Sequence, residues 1–175
     1  VIQRAVPSGR VLLGYHFPKV SGVPLSLDLL ARLKEAFPDR FAGIKDSSGD
    51  PEYASHLGEW FGDQLVVLTG NDRLFSHALA NHAGGCITAA ANLYSPDLRQ
   101  VWDAFWQKDP AALESAQLRL NAARAVMDQY PPFPPLIKAL LARQYHFPRW
   151  SVRPPLLPFS DEVVEQALTG LNITG

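Results

Sequence analysis

Phe41-Ala-Gly-Ile-Lys-Asp-Ser-Ser-Gly-Asp50 is the stretch whose reading decides the fold of this chain. An apolar run of strand length closes on a lysine, and a polar turn follows at once. A strand buried on both faces rarely carries an ammonium group, so Lys45 stands out. Asp50 has the side chain of a helix N-cap, and Pro51 has the preset φ of a first helical residue. Together they predict a helix running to about Trp60. The stretch is one βα unit with a cation at the strand's end.

The same grammar repeats on either side. Val11-Leu-Leu-Gly-Tyr15 predicts a strand, followed by a helix from the N-cap Ser26 to Phe37, with Leu30, Leu33 and Phe37 on one face. Leu65 to Thr69 predicts a third strand, leading through Gly70-Asn71 into a helix from Asp72 to Asn81. Gly85 to Ala89 predicts a fourth, with a helix from Ser95-Pro96 to Lys108. Beyond that the alternation stops. Helices are expected from Asp109-Pro110 towards Asp128, from Pro134-Pro135 to Gln144, and from Ser160 to near Leu168.

Strands alternating with helices predict an α/β fold on a parallel sheet. The repeat length suits a TIM-type (β/α)8 barrel, but a whole one takes about 250 residues. With 175 residues, the chain holds only four βα units plus C-terminal helices, a partial barrel. The predicted division is 1–108 for the barrel half and 109–175 for a helical extension. Open sheet edges leave unpaired backbone groups and a half-built interior. The expectation is a piece of a longer protein, ahead of a half-barrel completed by a partner.

Composition narrows the function classes. The chain is 47% hydrophobic and 19% charged, with a formal net charge of -1. That balance gives no reason to expect nucleic acid or a membrane surface as partner. No apolar run reaches the roughly 18 residues that span a bilayer. The single cysteine, Cys86, excludes an internal disulfide, suits a reducing cytoplasm, and reads as core within its strand. The five histidines, 16, 56, 77, 82 and 146, form no pair at metal-ligand spacing, so neither metal nor cofactor is expected.

Polar residues gather where a parallel barrel builds its active site, at the C-terminal strand ends: Tyr15, Lys45, Thr69-Gly70-Asn71 and Thr88. Burial would depress the pKa of Lys45 and leave a neutral amine to attack a ketone. The alternative is a lysine that emerges into solvent as its strand ends. Tyr15 reads as a proton relay or as an aromatic packed at the barrel mouth. Gly70 reads as room for a ligand or as a turn glycine with positive φ. Spacing alone does not separate these.

Motifs in order add a resemblance. Tyr15-His-Phe-Pro-Lys-Val-Ser-Gly22, the Gly43-Ile-Lys-Asp-Ser-Ser-Gly-Asp50 segment, Thr69-Gly-Asn-Asp72, Gly84-Gly-Cys-Ile-Thr-Ala-Ala-Ala-Asn92 and Val152-Arg-Pro-Pro-Leu-Leu-Pro158 succeed one another along nearly the whole chain. This series resembles the C-terminal part of the dihydrodipicolinate synthase/N-acetylneuraminate lyase family, the class I pyruvate-type aldolases. The resemblance implies that the four units are the last four of a barrel, and that Lys45 forms an imine with pyruvate or another 2-oxo acid. It implies that Tyr15 shuttles the proton, that Gly70, Asn71, Ile87 and Thr88 line the substrate site, and that the protein is a homotetramer or dimer.

Departures from the pattern limit the substrate. Val20 stands where dihydrodipicolinate-forming members carry an arginine, and Arg73 and Ala89 replace groups expected of sialic acid lyases. A 2-keto-3-deoxy sugar acid fits better, with 4-hydroxy-tetrahydrodipicolinate synthesis and a non-catalytic interaction subunit as the alternatives. The family's G-T-T-G-E carboxylate-binding loop has no counterpart here. The resemblance therefore implies that these residues alone are nearly inactive.

Overall fold

A computed structural model describes residue 7 and residues 9–172. Strands β1 (Leu12–His16), β2 (Phe41–Asp46), β3 (Val66–Thr69) and β4 (Ala83–Cys86) form one parallel sheet in the order β1-β2-β3-β4. Helices α1 (Pro18–Ser21) and α2 (Leu27–Ala36) separate β1 from β2, and α3 (Pro51–Phe61) separates β2 from β3. A 3-10 turn at Asp72–Leu74 and helix α4 (Phe75–Ala80) lead into β4. Parallel neighbours in chain order are what successive βα crossovers produce.

Local chemistry sets the helix starts. Ser26 accepts a hydrogen bond from the Leu29 N–H at 3.2 Å, and Asp50 accepts one from the Glu52 N–H at 2.9 Å. Such caps stabilise a helix by about 1 kcal/mol each. Leu30 and Leu57 are fully buried and pack with Ile44 and Val67 of the sheet. Each such side chain contributes roughly 1.5–3 kcal/mol through burial.

The described residues divide into two compact units, one ending at Thr88 and the other beginning at Ala89. The second unit holds α5 (Ala91–Trp106), α6 (Pro110–Met127), α7 (Phe133–Tyr145) and α8 (Asp161–Gly170). The expected division fell after residue 108, but α5 packs along α6, so it groups with the later helices. Met127, Leu136, Leu140, Val164 and Ala167 are the centre of that unit's core. Helix α5 starts ahead of the expected Ser95. Tyr94 is non-helical within it (φ -120°, ψ 29°), because Pro96 has no N–H for the carbonyl of Asn92.

Strand β4 also differs from expectation. It starts directly after His82, whose φ of 63° ends the preceding helix, and it stops at Cys86. Cys86 is thus the last strand residue and only part-buried, not a core residue within the strand. Ile87 extends the ladder by one bond, its N–H reaching the Thr69 carbonyl at 2.8 Å. No helix among the described residues is long and apolar enough to cross a membrane.

Candidate active site

Side chains alternate across a strand, so the register of the sheet sorts the strand ends into two rows. Tyr15 pairs with Lys45, and Lys45 with Leu68; His16 pairs with Asp46, and Asp46 with Thr69. The second row faces the helices, and His16, Asp46 and Thr69 are each only 4% exposed. The first row faces the other way. Tyr15 is 54% exposed there, with Leu13 and Val66 of the same face also exposed. Parallel sheets are ordinarily covered on both faces, so this is the half-built interior of a barrel.

On that face Lys45 and Tyr15 meet. The Lys45 Nζ donates to the Tyr15 hydroxyl at 3.1 Å and lies 4.2 Å from the centre of its ring. The adjacent ammonium holds the Tyr15 phenol below its ordinary pKa, and a side-chain hydrogen bond from Ser47 acts in the same direction against the opposing effect of burial. Lys45 is part-buried, and its bond to Tyr15 lies on the exposed face of the sheet.

The remaining expected residues are used differently. A Cβ at Gly70 would overlap the Ser47 hydroxyl and stand 3.0 Å from the Asp46 carbonyl oxygen. The space beside Gly70 is therefore filled by Ser47 of this chain, and Gly70 has no positive φ. Its N–H donates to the Asp46 carbonyl. The Asn71 carboxamide oxygen accepts from the Arg73 N–H at 3.1 Å, capping the 3-10 turn. Thr88 donates to the fully buried Asp72 carboxylate at 2.6 Å, and the Ile87 side chain is exposed. The N–H groups of Gly70 and Ile87 are both engaged internally, so the carbonyls are what these residues can offer a ligand.

Reasoning from the sequence missed the buried row. The His16 Nδ1 accepts from the Leu25 N–H at 3.0 Å, and Tyr53 donates to the Leu25 carbonyl at 2.7 Å. Burial raises the pKa of Asp46 despite the Ser48 N–H at 2.9 Å, and burial also raises that of Tyr53. The signal was available in the two-residue period: if Tyr15 and Lys45 face the site, their successors face the helices.

Parallel strands in chain order, with helical crossovers and polar residues at the C-terminal strand ends, define a partial (β/α)8 barrel. The model of the dihydrodipicolinate synthetase family matches residues 6–172, and the chain belongs to that family. It is 39% identical over 160 residues to an uncharacterized DapA-like lyase of Chloroflexus aurantiacus, covering 91% of this chain and 52% of that protein. It is 32% identical over 165 residues to a 4-hydroxy-tetrahydrodipicolinate synthase of Sorangium cellulosum, covering 94% of this chain and 53% of that one. Among solved structures, dihydrodipicolinate synthase from Agrobacterium tumefaciens superposes with a TM-score of 0.81 at 28% identity, over 98% of this chain and 56% of that one. The chain spans about half the length of the curated relatives it matches.

Proposed function

We propose that this chain carries the imine-forming lysine of a class I aldolase or lyase, with Lys45 as nucleophile and Tyr15 as its proton-transfer partner. The observation that supports it is the 3.1 Å contact between the two side chains on the open face of the sheet. The Lys45 amine attacks the keto carbon of pyruvate or a related 2-oxo acid, and loss of water gives a protonated imine. That imine draws electrons from C3, so the neighbouring C3–C4 bond breaks to an enamine, or the enamine adds to an aldehyde. Tyr15 gives and takes the proton at the reacting centre.

A 2-keto-3-deoxy sugar acid is the favoured substrate, because Val20 lies where an arginine would bind the carboxylate of aspartate semialdehyde. The relatives named 4-hydroxy-tetrahydrodipicolinate synthase support the second reading, condensation of pyruvate with that semialdehyde. The active form is a cytoplasmic homo-oligomer of the full-length protein, requiring no cofactor. Borohydride reduction with pyruvate tests the mechanism. The expected result is a pyruvate-derived mass increment on the Lys45 peptide, and an unmodified peptide rejects it.

A further inference from the structure

The segment between β1 and α2 leaves the sheet beside Tyr15 and is fastened at its far end. At the near end the Phe17 ring lies next to the Tyr15 ring, with centroids 6.0 Å apart and planes 30° from parallel. At the far end the Leu25 carbonyl accepts from the Tyr53 hydroxyl at 2.7 Å, and the Leu25 N–H donates to the His16 Nδ1 at 3.0 Å. We propose that Tyr53 is a positioning residue of the site, acting through Leu25 and Phe17 to hold the Tyr15 phenol against the Lys45 ammonium. The proposal rests on the Lys45 and Tyr15 reading above and adds a residue from the opposite side of the sheet.

Burial does not hold this segment. Helix α1 buries no residue, and Val20 and Val23 are 74% and 62% exposed. A stretch with so few buried contacts belongs to the least stable part of a fold unless polar ties fix it. Such ties are present. The Ser21 hydroxyl donates to the Phe17 carbonyl at 3.1 Å and accepts from the Val23 N–H at 3.2 Å. Gly22 closes the turn with a φ of 69°. The segment is thus braced from within, so a displacement at Leu25 reaches Phe17.

Leu25 is the anchor. Its side chain packs against the core cluster of Leu30, Ile44 and Leu57, and a Cβ at Gly14 of β1 would stand 3.1 Å from its Cδ1. The His16 bond comes from β1 itself, the strand that carries Tyr15. The Tyr53 bond comes from α3, the helix that follows the strand carrying Lys45. It therefore ties the segment beside the phenol to the element that follows the lysine. Deleting it lets the segment shift while β1 and β2 keep their register. Phe17 then supports the Tyr15 ring less closely, and the phenol drifts from the Lys45 Nζ, 3.1 Å away when the tie is intact. Misplacing a reacting group by about 1 Å can cost roughly a hundredfold in rate.

The test uses the full-length protein with Tyr53→Phe, Phe17→Leu and the double variant. Tyr53→Phe keeps the ring over His16 and deletes only the hydroxyl. The Tyr15 phenol is read without substrate by its ultraviolet absorbance, against a matching Tyr15→Phe reference. In Tyr53→Phe it is expected to titrate about half a pH unit higher. With pyruvate in deuterated water, deuterium entry into the methyl group slows about fivefold or more, while borohydride traps the Lys45 imine as fully as in the wild type. Phe17→Leu is expected to do the same, and the double variant to match it with no further shift, because both substitutions act on one path. An unmoved Tyr15 titration in either single variant, additive shifts in the double variant, or wild-type deuterium entry in Tyr53→Phe overturns the proposal and leaves the imine standing. Absence of trapping in the wild type removes the imine reading itself, and the titrations alone then decide whether Tyr53 positions the phenol.

Discussion

The ring of His16 lies over the ring of Tyr53, with centroids 4.3 Å apart and planes 17° from parallel. Both side chains then reach the same residue, Leu25, one taking its N–H and the other its carbonyl. The segment between α1 and α2 is thus fastened to β1 and α3. The fastening lies directly behind Tyr15, because His16 is the next residue on the opposite face of β1.

Removing the parts of this clasp separately predicts graded losses. Tyr53→Phe keeps the stack and deletes one hydrogen bond, costing about 1 kcal/mol. His16→Ala removes the stack and leaves the Leu25 N–H without its acceptor, costing about 2–3 kcal/mol. Urea melts of the full-length protein check both. Wild-type stability in His16→Ala would deny the clasp.

The phenol of Tyr15 offers a direct reading of its neighbour. The Lys45 ammonium favours the phenolate, so the group titrates below the ordinary tyrosine value in the folded protein. Lys45→Met removes the charge but keeps an apolar stem of similar shape, and the Tyr15 titration is expected to rise towards the ordinary value of about 10. Absorbance titration against a Tyr15→Phe reference isolates this group from the other tyrosines. A titration unmoved by Lys45→Met rejects the contact.

The elements legible in the sequence were those whose signal is local. Ser26, Asp50, Asp109 and Ser160 cap helices just where a short polar side chain precedes an apolar periodic run. Lys45 and Tyr15 were legible because a polar group ending an apolar strand is conspicuous within one segment. Strand β4 was not. Ile87 and Thr88 have the stronger β propensity, yet pairing with β3 selects Ala83–Cys86, two glycines included. The row of His16, Asp46 and Thr69 depends on the register between three strands, which no single segment encodes. Ser47 was hidden for the same reason, since its partner Gly70 lies on the next strand's end.

Asp46 predicts a pH dependence of known sign. Burial raises its pKa, with the repulsion of Asp50 adding to that and the Ser48 hydrogen bonds and His16 opposing it. The folded chain therefore binds this proton more tightly than the unfolded chain. The resulting stabilisation is fully present below the unfolded carboxylate value of about 4 and is lost as pH rises through the higher folded value. Asp46→Asn keeps an oxygen for the Ser48 N–H and has no charge to bury. Stability measured upward from about pH 4 should fall less steeply in the variant, which should match or exceed the wild type at neutral pH. A variant with the wild-type slope and lower neutral stability contradicts this account.

Gly43 lies two residues before Lys45 on the same face, paired with Val66 across the sheet. A Cβ at Gly43 would stand 2.8 Å from the Val66 carbonyl carbon and 2.9 Å from its nitrogen, and would overlap the carbonyl oxygen. These are backbone atoms, so no rotamer change relieves the clash. Strands β2 and β3 must shift, at a cost of about 1–3 kcal/mol. Gly84→Ala is the matched control: its Cβ would meet nothing closer than 3.8 Å, an ordinary contact. Gly43→Ala should therefore be destabilised in urea melts while Gly84→Ala stays near the wild type. Because the shift displaces the strand that carries Lys45, Gly43→Ala should also move the Tyr15 titration upward, and Gly84→Ala should not. Equal behaviour of the two variants would show that the close approach of β2 and β3 does not hold the lysine against the phenol.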